Sequence, residues 1–80
     1  MTTIKTKTET ITINDSIIRD YRRLDAMPSD TEGLDGITVA SCFNNGFQTA
    51  REQGFCSGTR KFEDVAMYYT VMTAKSYELV

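Results

Sequence analysis

Side chains able to do chemistry are few in this chain. It contains no histidine, which rules out the Ser-His and Cys-His pairs that activate a nucleophile. Its two cysteines, Cys42 and Cys56, fall short of the four Cys or His donors a structural zinc site needs. They are also too few for the disulfide framework of a small secreted domain, and read as reduced thiols, Cys42 in the core and Cys56 in a loop. Glu63 and Asp64 are adjacent carboxylates, but neighbours in sequence diverge on a helix or a strand and do not share a proton-transfer site. No phosphate-cradling glycine loop, dinucleotide turn or calcium loop is present. These residues predict no catalytic site, no metal site and no cofactor.

What remains is surface chemistry. The segment Pro28 to Gly36, PSDTEGLDG, carries Asp30, Glu32 and Asp35 with no basic residue among them. It reads either as a solvated connection or as an acidic recognition loop facing a basic partner. Arg19, Arg22 and Arg23 cluster just before it, as a solvated helix face or a contact face. Tyr68, Tyr69 and Tyr77, with Met67 and Met72, suit either core and edge packing or a protein contact surface, where Tyr and Arg are enriched. The candidate partner-binding residues are accordingly Asp30, Glu32, Asp35, Arg19, Arg22, Arg23, Tyr68 and Tyr77.

The element that must position them is the stretch Thr38 to Gly54. Val39, Ala40, Phe43, Phe47 and Ala50 recur at offsets of three and four, with Thr38 placed as an N-cap and Gly54 as a left-handed stop. This predicts a helix over about 38–53. Asn44-Asn45-Gly46 carries the competing signal of a tight hairpin turn. If the helix forms, Gly46 costs it about 1 kcal/mol relative to Ala, and close approach of another backbone is the expected reason for that cost.

Around this helix, residues 2–13 alternate with β-branched Thr and Ile, which predicts one strand, with Ile11 and Ile13 on the same face as Lys5 and Lys7. Asn14, Asp15 and Ser16 offer caps for a helix over about 15–27, packed through Ile17, Ile18, Tyr21 and Leu24 and stopped by Pro28. Residues 60–78 fit two patterns. As a helix, Phe62, Val65, Ala66 and Tyr69 share a face, with acidic residues early and Lys75 late. As a strand, the Tyr-Tyr-Thr-Val run is β-rich. The first strand needs a partner, so a strand over about 65–75 pairing with it is expected. The fold class is then α+β in one small domain, the alternative being a mostly α arrangement of three helices.

Composition sets outer limits. Eighty residues with 40% hydrophobic and 25% charged side chains match one globular domain, of a size that buries only about 60% of its unfolded surface. Dimerisation would add to its stability. A net charge of −2 provides no general attraction for phosphate backbones, so direct nucleic-acid binding is not expected. The amino-terminal stretch is polar and alternating, and no run is long enough to span a bilayer, which predicts a cytoplasmic protein that does not engage membranes.

Subtraction leaves a non-enzymatic cytosolic protein-binding module that occupies a partner's surface. Phages and plasmids encode many inhibitors of host defence complexes of this size and plainness, anti-CRISPR and antirestriction proteins among them. For such a role the partner is expected to be a nucleic-acid-binding complex whose lysines and arginines meet Asp30, Glu32 and Asp35. The alternative rests on order: strand, helix, loop, helix resembles the ribbon-helix-helix family of dimeric DNA-binding regulators. The resemblance implies a homodimer and puts Thr3, Lys5 and Lys7 toward base edges. The loop Pro28 to Gly36 is longer and more acidic than that family's turn, and a long segment follows the second helix. A third reading is a subunit whose Thr-rich strand pairs across a two-fold axis.

Overall fold

The computed structural model describes all 80 residues and has an α+β fold. Its elements are β1 (Thr2–Lys5), β2 (Thr10–Ile13), α1 (Asp15–Asp25), a short 3-10 turn (Leu34–Gly36), α2 (Val39–Glu52) and α3 (Arg60–Ser76). Two expectations are corrected. Residues 2–13 are not one strand but a hairpin, and residues 65–75 are not a strand but the middle of a helix.

The hairpin pairs Ile4 with Ile11 and Thr3 with Thr12 in antiparallel register. Its loop, Lys7-Thr8, has neither Gly nor Asn and no left-handed residue, so it lacks the chemistry of the favoured tight hairpin turns. Thr6 compensates. Its amide donates to the Glu9 carbonyl at 2.8 Å, while its hydroxyl oxygen accepts from the Glu9 amide at 3.1 Å. Because the loop has two residues, even positions of β1 face the same side as odd positions of β2. Ile4, Thr6, Ile11 and Ile13 are therefore all buried, and Lys5 and Lys7 lie exposed away from Ile11 and Ile13 rather than sharing their face.

Helix α1 starts where Asn14 Oδ1 accepts from the Ile17 amide at 3.0 Å, with Asp15 in its first turn and Arg22 and Arg23 in its last, as the helix dipole favours. It buries Ile17, Asp20 and Leu24 on one face. Helix α2 forms as its periodicity predicts: Thr38 Oγ1 accepts from the Ser41 amide at 3.2 Å, and Val39, Cys42, Gly46 and Ala50 are buried. Helix α3 starts at Thr59, whose Oγ1 accepts from the Phe62 amide at 3.2 Å. Its buried residues are Phe62, Val65, Ala66, Thr70, Val71 and Ala74, a period-3.6 set that a strand could not place on one side. The β-rich Tyr-Tyr-Thr-Val run is overridden because the first segment already pairs with itself and α2 needs a helix to cover its small-residue face. The ribbon-helix-helix order is likewise replaced, since β1 pairs inside the chain and α3 follows α2.

A Cβ built on Gly46 would fall 2.6 Å from the Ala66 carbonyl oxygen and 3.0 Å from the Thr70 nitrogen, besides meeting Thr70 Oγ1. The expected close approach is thus made by α3. One cluster of 14 buried residues joins the hairpin and all three helices, from Ile4 to Leu79.

Both later helices end in the same motif. After α2, the Phe55 amide reaches the Ala50 carbonyl at 3.2 Å and that of Gly54 reaches Arg51 at 2.9 Å, with Gly54 left-handed at φ +90°. After α3, the Leu79 amide reaches Ala74 at 2.9 Å and that of Glu78 reaches Lys75 at 3.1 Å. There the left-handed residue is Glu78 at φ 59°, where a side chain costs about 1–2 kcal/mol. Glu78→Gly is expected to raise stability by about 0.5–1 kcal/mol after allowing for the freer unfolded chain, measured as a higher urea midpoint. A lower midpoint would show that Glu78 makes contacts worth more than its strain.

Candidate functional site

The loop from Pro28 to Thr38 is fastened on three sides. Its Ser29 and Thr31 carbonyls accept from the Ala40 amide at 3.0 Å and the Val39 amide at 2.9 Å. Thr38 takes the Ser41 amide with its hydroxyl and the Cys42 amide with its carbonyl at 3.1 Å. The first amides of α2 are all spent on the chain itself, which leaves no anion cradle at that helix start. Within the loop, Glu32 bridges Thr38 and the Gly33 amide donates to Ile37 at 2.8 Å.

The third fastening comes from the far end of the chain. The Leu34 amide donates to the Tyr77 carbonyl at 3.0 Å. Gly33 sits so close that an added Cβ would meet that carbonyl at 2.5 Å and Leu79 Cγ at 2.8 Å. Asp35 and Gly36 then take left-handed backbone at φ 62° and 74°. The outcome is a braced knob with Leu34 at its tip, 56% exposed, among Asp30, Glu32 and Asp35, all exposed. None of these three carboxylates has an ion-pair partner, since every intrachain ion pair converges on Asp20.

Arg19, Arg22 and Arg23 are brought together. With Asp15, Ile18 and Ala26 they line a shallow, solvent-open depression on the outer side of α1, every lining residue coming from that helix or its cap. Arg19 and Arg23 each stand 3.9 Å from the buried Asp20 carboxylate, and Lys75 approaches it at 3.6 Å from α3. Asp20 thus ties α1 to the end of α3 and is a structural carboxylate. Arg22 has no such partner.

Tyr68, Tyr69 and Tyr77 are each half-buried. Tyr68 meets the Tyr69 ring edge-on at 5.2 Å. Tyr69 donates its hydroxyl to Glu9 at 2.9 Å, and burial, then that bond to a carboxylate, pushes its pKa above the usual 10.0. Tyr21 is raised as well, by burial and the nearby charges of Asp25 and Glu63. Tyr77, half-buried, acts through its backbone. Met67 and Met72 pack against the core. Burial also raises the Cys42 thiol, which keeps it protonated and inert; Cys56 is exposed.

Two exposed apolar residues escape a reading by composition. Leu34 stands alone among polar and glycine residues in PSDTEGLDG, which is the one signal that marks it. Phe47 counts toward the core stripe by spacing, yet is 38% exposed and stacks parallel on Phe62 at 6.1 Å, with the Arg51 guanidinium 5.9 Å above the Phe62 ring. No group of three Cys, Asp or Glu side chains is placed to hold a metal ion, and no helix is long and apolar enough to cross a membrane. No protein-family model, curated protein or solved structure matches this chain, so its own geometry carries the functional reading.

Proposed function

We propose that this chain is a cytosolic, non-enzymatic protein-binding domain whose braced acidic loop docks on a basic surface of a partner protein. The observation that carries the reading is Leu34, held 56% exposed on a backbone that spends a left-handed Asp35 to keep it there. Left-handed backbone at a residue other than glycine recurs at binding and switch sites. An apolar anchor inside a charged rim is the usual anatomy of an interface, and a preformed loop avoids the ordering cost of binding. Three unpaired carboxylates suit lysines and arginines that otherwise hold phosphate, so the partner class is a nucleic-acid-binding protein, and the effect is competition for its basic groove. Inhibition of a host defence complex is the form of this activity that the proposal favours.

The test is affinity capture from the native host with wild-type chain and with the D30K/E32K/L34A variant. Wild type is expected to recover one stoichiometric basic partner, and the variant to bind it at least 30-fold more weakly, roughly the loss of a 2 kcal/mol hot spot. Equal capture by both, or none by wild type, would remove the proposal. All three positions are exposed, so thermal melts of the two proteins should agree.

A further inference from the structure

We propose that the arginine-lined depression on α1 receives the acidic loop of a second copy of this chain, joining copies head to tail. This rests on reading the loop as a docking element, and adds the surface on the other side. The two patches match in kind. The depression is lined by Ile18 and Ala26 together with Arg19, Arg22 and Arg23; the knob carries an exposed Leu34 in the same loop as Asp30, Glu32 and Asp35, all exposed.

They also match in what they lack at home. No carboxylate of the knob is paired within the chain, and neither is Arg22. Arg19 and Arg23 keep side chains that are 70% and 58% exposed, so most of their donors face solvent. Asp15, at the amino-terminal end of the depression, repels the knob and biases it toward the Arg22 end. A guanidinium fork suits a carboxylate, and the bracing of Leu34 by Tyr77 holds the tip in shape before contact.

Knob and depression are different surfaces, so the contact is heterologous. Each copy offers one of each, and association grows with concentration instead of stopping at a symmetric pair. The contact area is small, which places the interaction in the weak, transient class, and its charge makes it sensitive to salt.

Sedimentation equilibrium of the full chain tests this across a wide concentration range, in low and in high salt. Weight-average mass is expected to rise with concentration in low salt and return to the monomer in high salt. Reversing one side, as R22E/R23E or as D30K/E32K, is expected to weaken self-association at least tenfold, in line with like charges placed opposite. Mixing the two reversed proteins is expected to restore it, because acidic knob then meets basic depression and basic knob meets acidic depression. Four outcomes overturn the proposal: wild type monomeric throughout in low salt, association that survives both reversals, association unchanged by salt, or a mixture that stays monomeric. A monomeric wild type that still captures a basic partner through its loop overturns the self-docking alone. A self-docking chain that captures nothing overturns the earlier reading alone.

Discussion

Replacing Gly46 with alanine is expected to destabilise the protein by about 2 kcal/mol, although alanine is the better helix former. Helix propensity alone predicts a gain of about 1 kcal/mol. Against it stands a methyl group placed 2.6 Å from the Ala66 carbonyl oxygen and 3.0 Å from the Thr70 nitrogen. Both are backbone atoms of a neighbouring helix and cannot swing aside as a side chain would. Overpacking of this kind costs about 1–3 kcal/mol or more, and a rigid obstacle puts it at the upper end. A chain of this size has a total margin of about 4–12 kcal/mol, so the melting temperature should fall by roughly 8–16 °C. A variant that melts as high as wild type would show that α2 and α3 do not meet at Gly46. Replacing Thr70 with alanine in the same protein should recover only part of the loss, since the Ala66 carbonyl remains.

The second large effect is expected at Ile11, which is 1% exposed and pairs with Ile4 across the hairpin. Truncating a fully buried isoleucine to alanine costs about 2–5 kcal/mol. Here the loss has a specific location. A two-stranded hairpin is marginal alone, and this one is held by its buried isoleucines, by Tyr69 on Glu9, and by Gln53, which accepts from the Lys7 amide at 2.9 Å and donates to Thr8 at 3.0 Å. Ile11→Ala should lower the urea midpoint and remove hydrogen-exchange protection from β1 and β2 before α2 and α3 lose theirs. Thr10→Ala, exposed on the next position, is the control and should change stability by less than about 0.5 kcal/mol. Equal losses from the two variants would mean that the hairpin is not docked through Ile11.

These two positions also show what sequence can and cannot reveal. Helix α2 was legible because its cap, its stop and its apolar spacing agree, and the hairpin signal of Asn44-Asn45-Gly46 failed for a tertiary reason: glycine there serves α3, not a turn. The hairpin was illegible because Lys7-Thr8 lacks turn residues and Thr6 closes the bend with its side chain instead. The strand expected over residues 65–75 follows from the same gap, since an unpaired first strand demands a partner that β2 in fact supplies. Of the candidate surface, the carboxylates of Asp30, Glu32 and Asp35 and the arginines of α1 could be named from composition and spacing. The exposure of Leu34 could not, because it depends on contacts from Tyr77 and Leu79, far along the chain. Tyr68 and Tyr77 are half-buried; Tyr68 packs against the core, and the role of Tyr77 in bracing Leu34 runs through its backbone carbonyl, which side-chain type does not announce.

The stitch between Leu34 and Tyr77 has a bearing on biosynthesis. The knob is translated early, but the carbonyl that holds it in place is supplied by residues that leave the ribosome much later. A nascent chain or a product cut short before Tyr77 therefore carries the acidic loop held to α2 alone, and the recognition proposed for Leu34 would set in only once Tyr77 has docked.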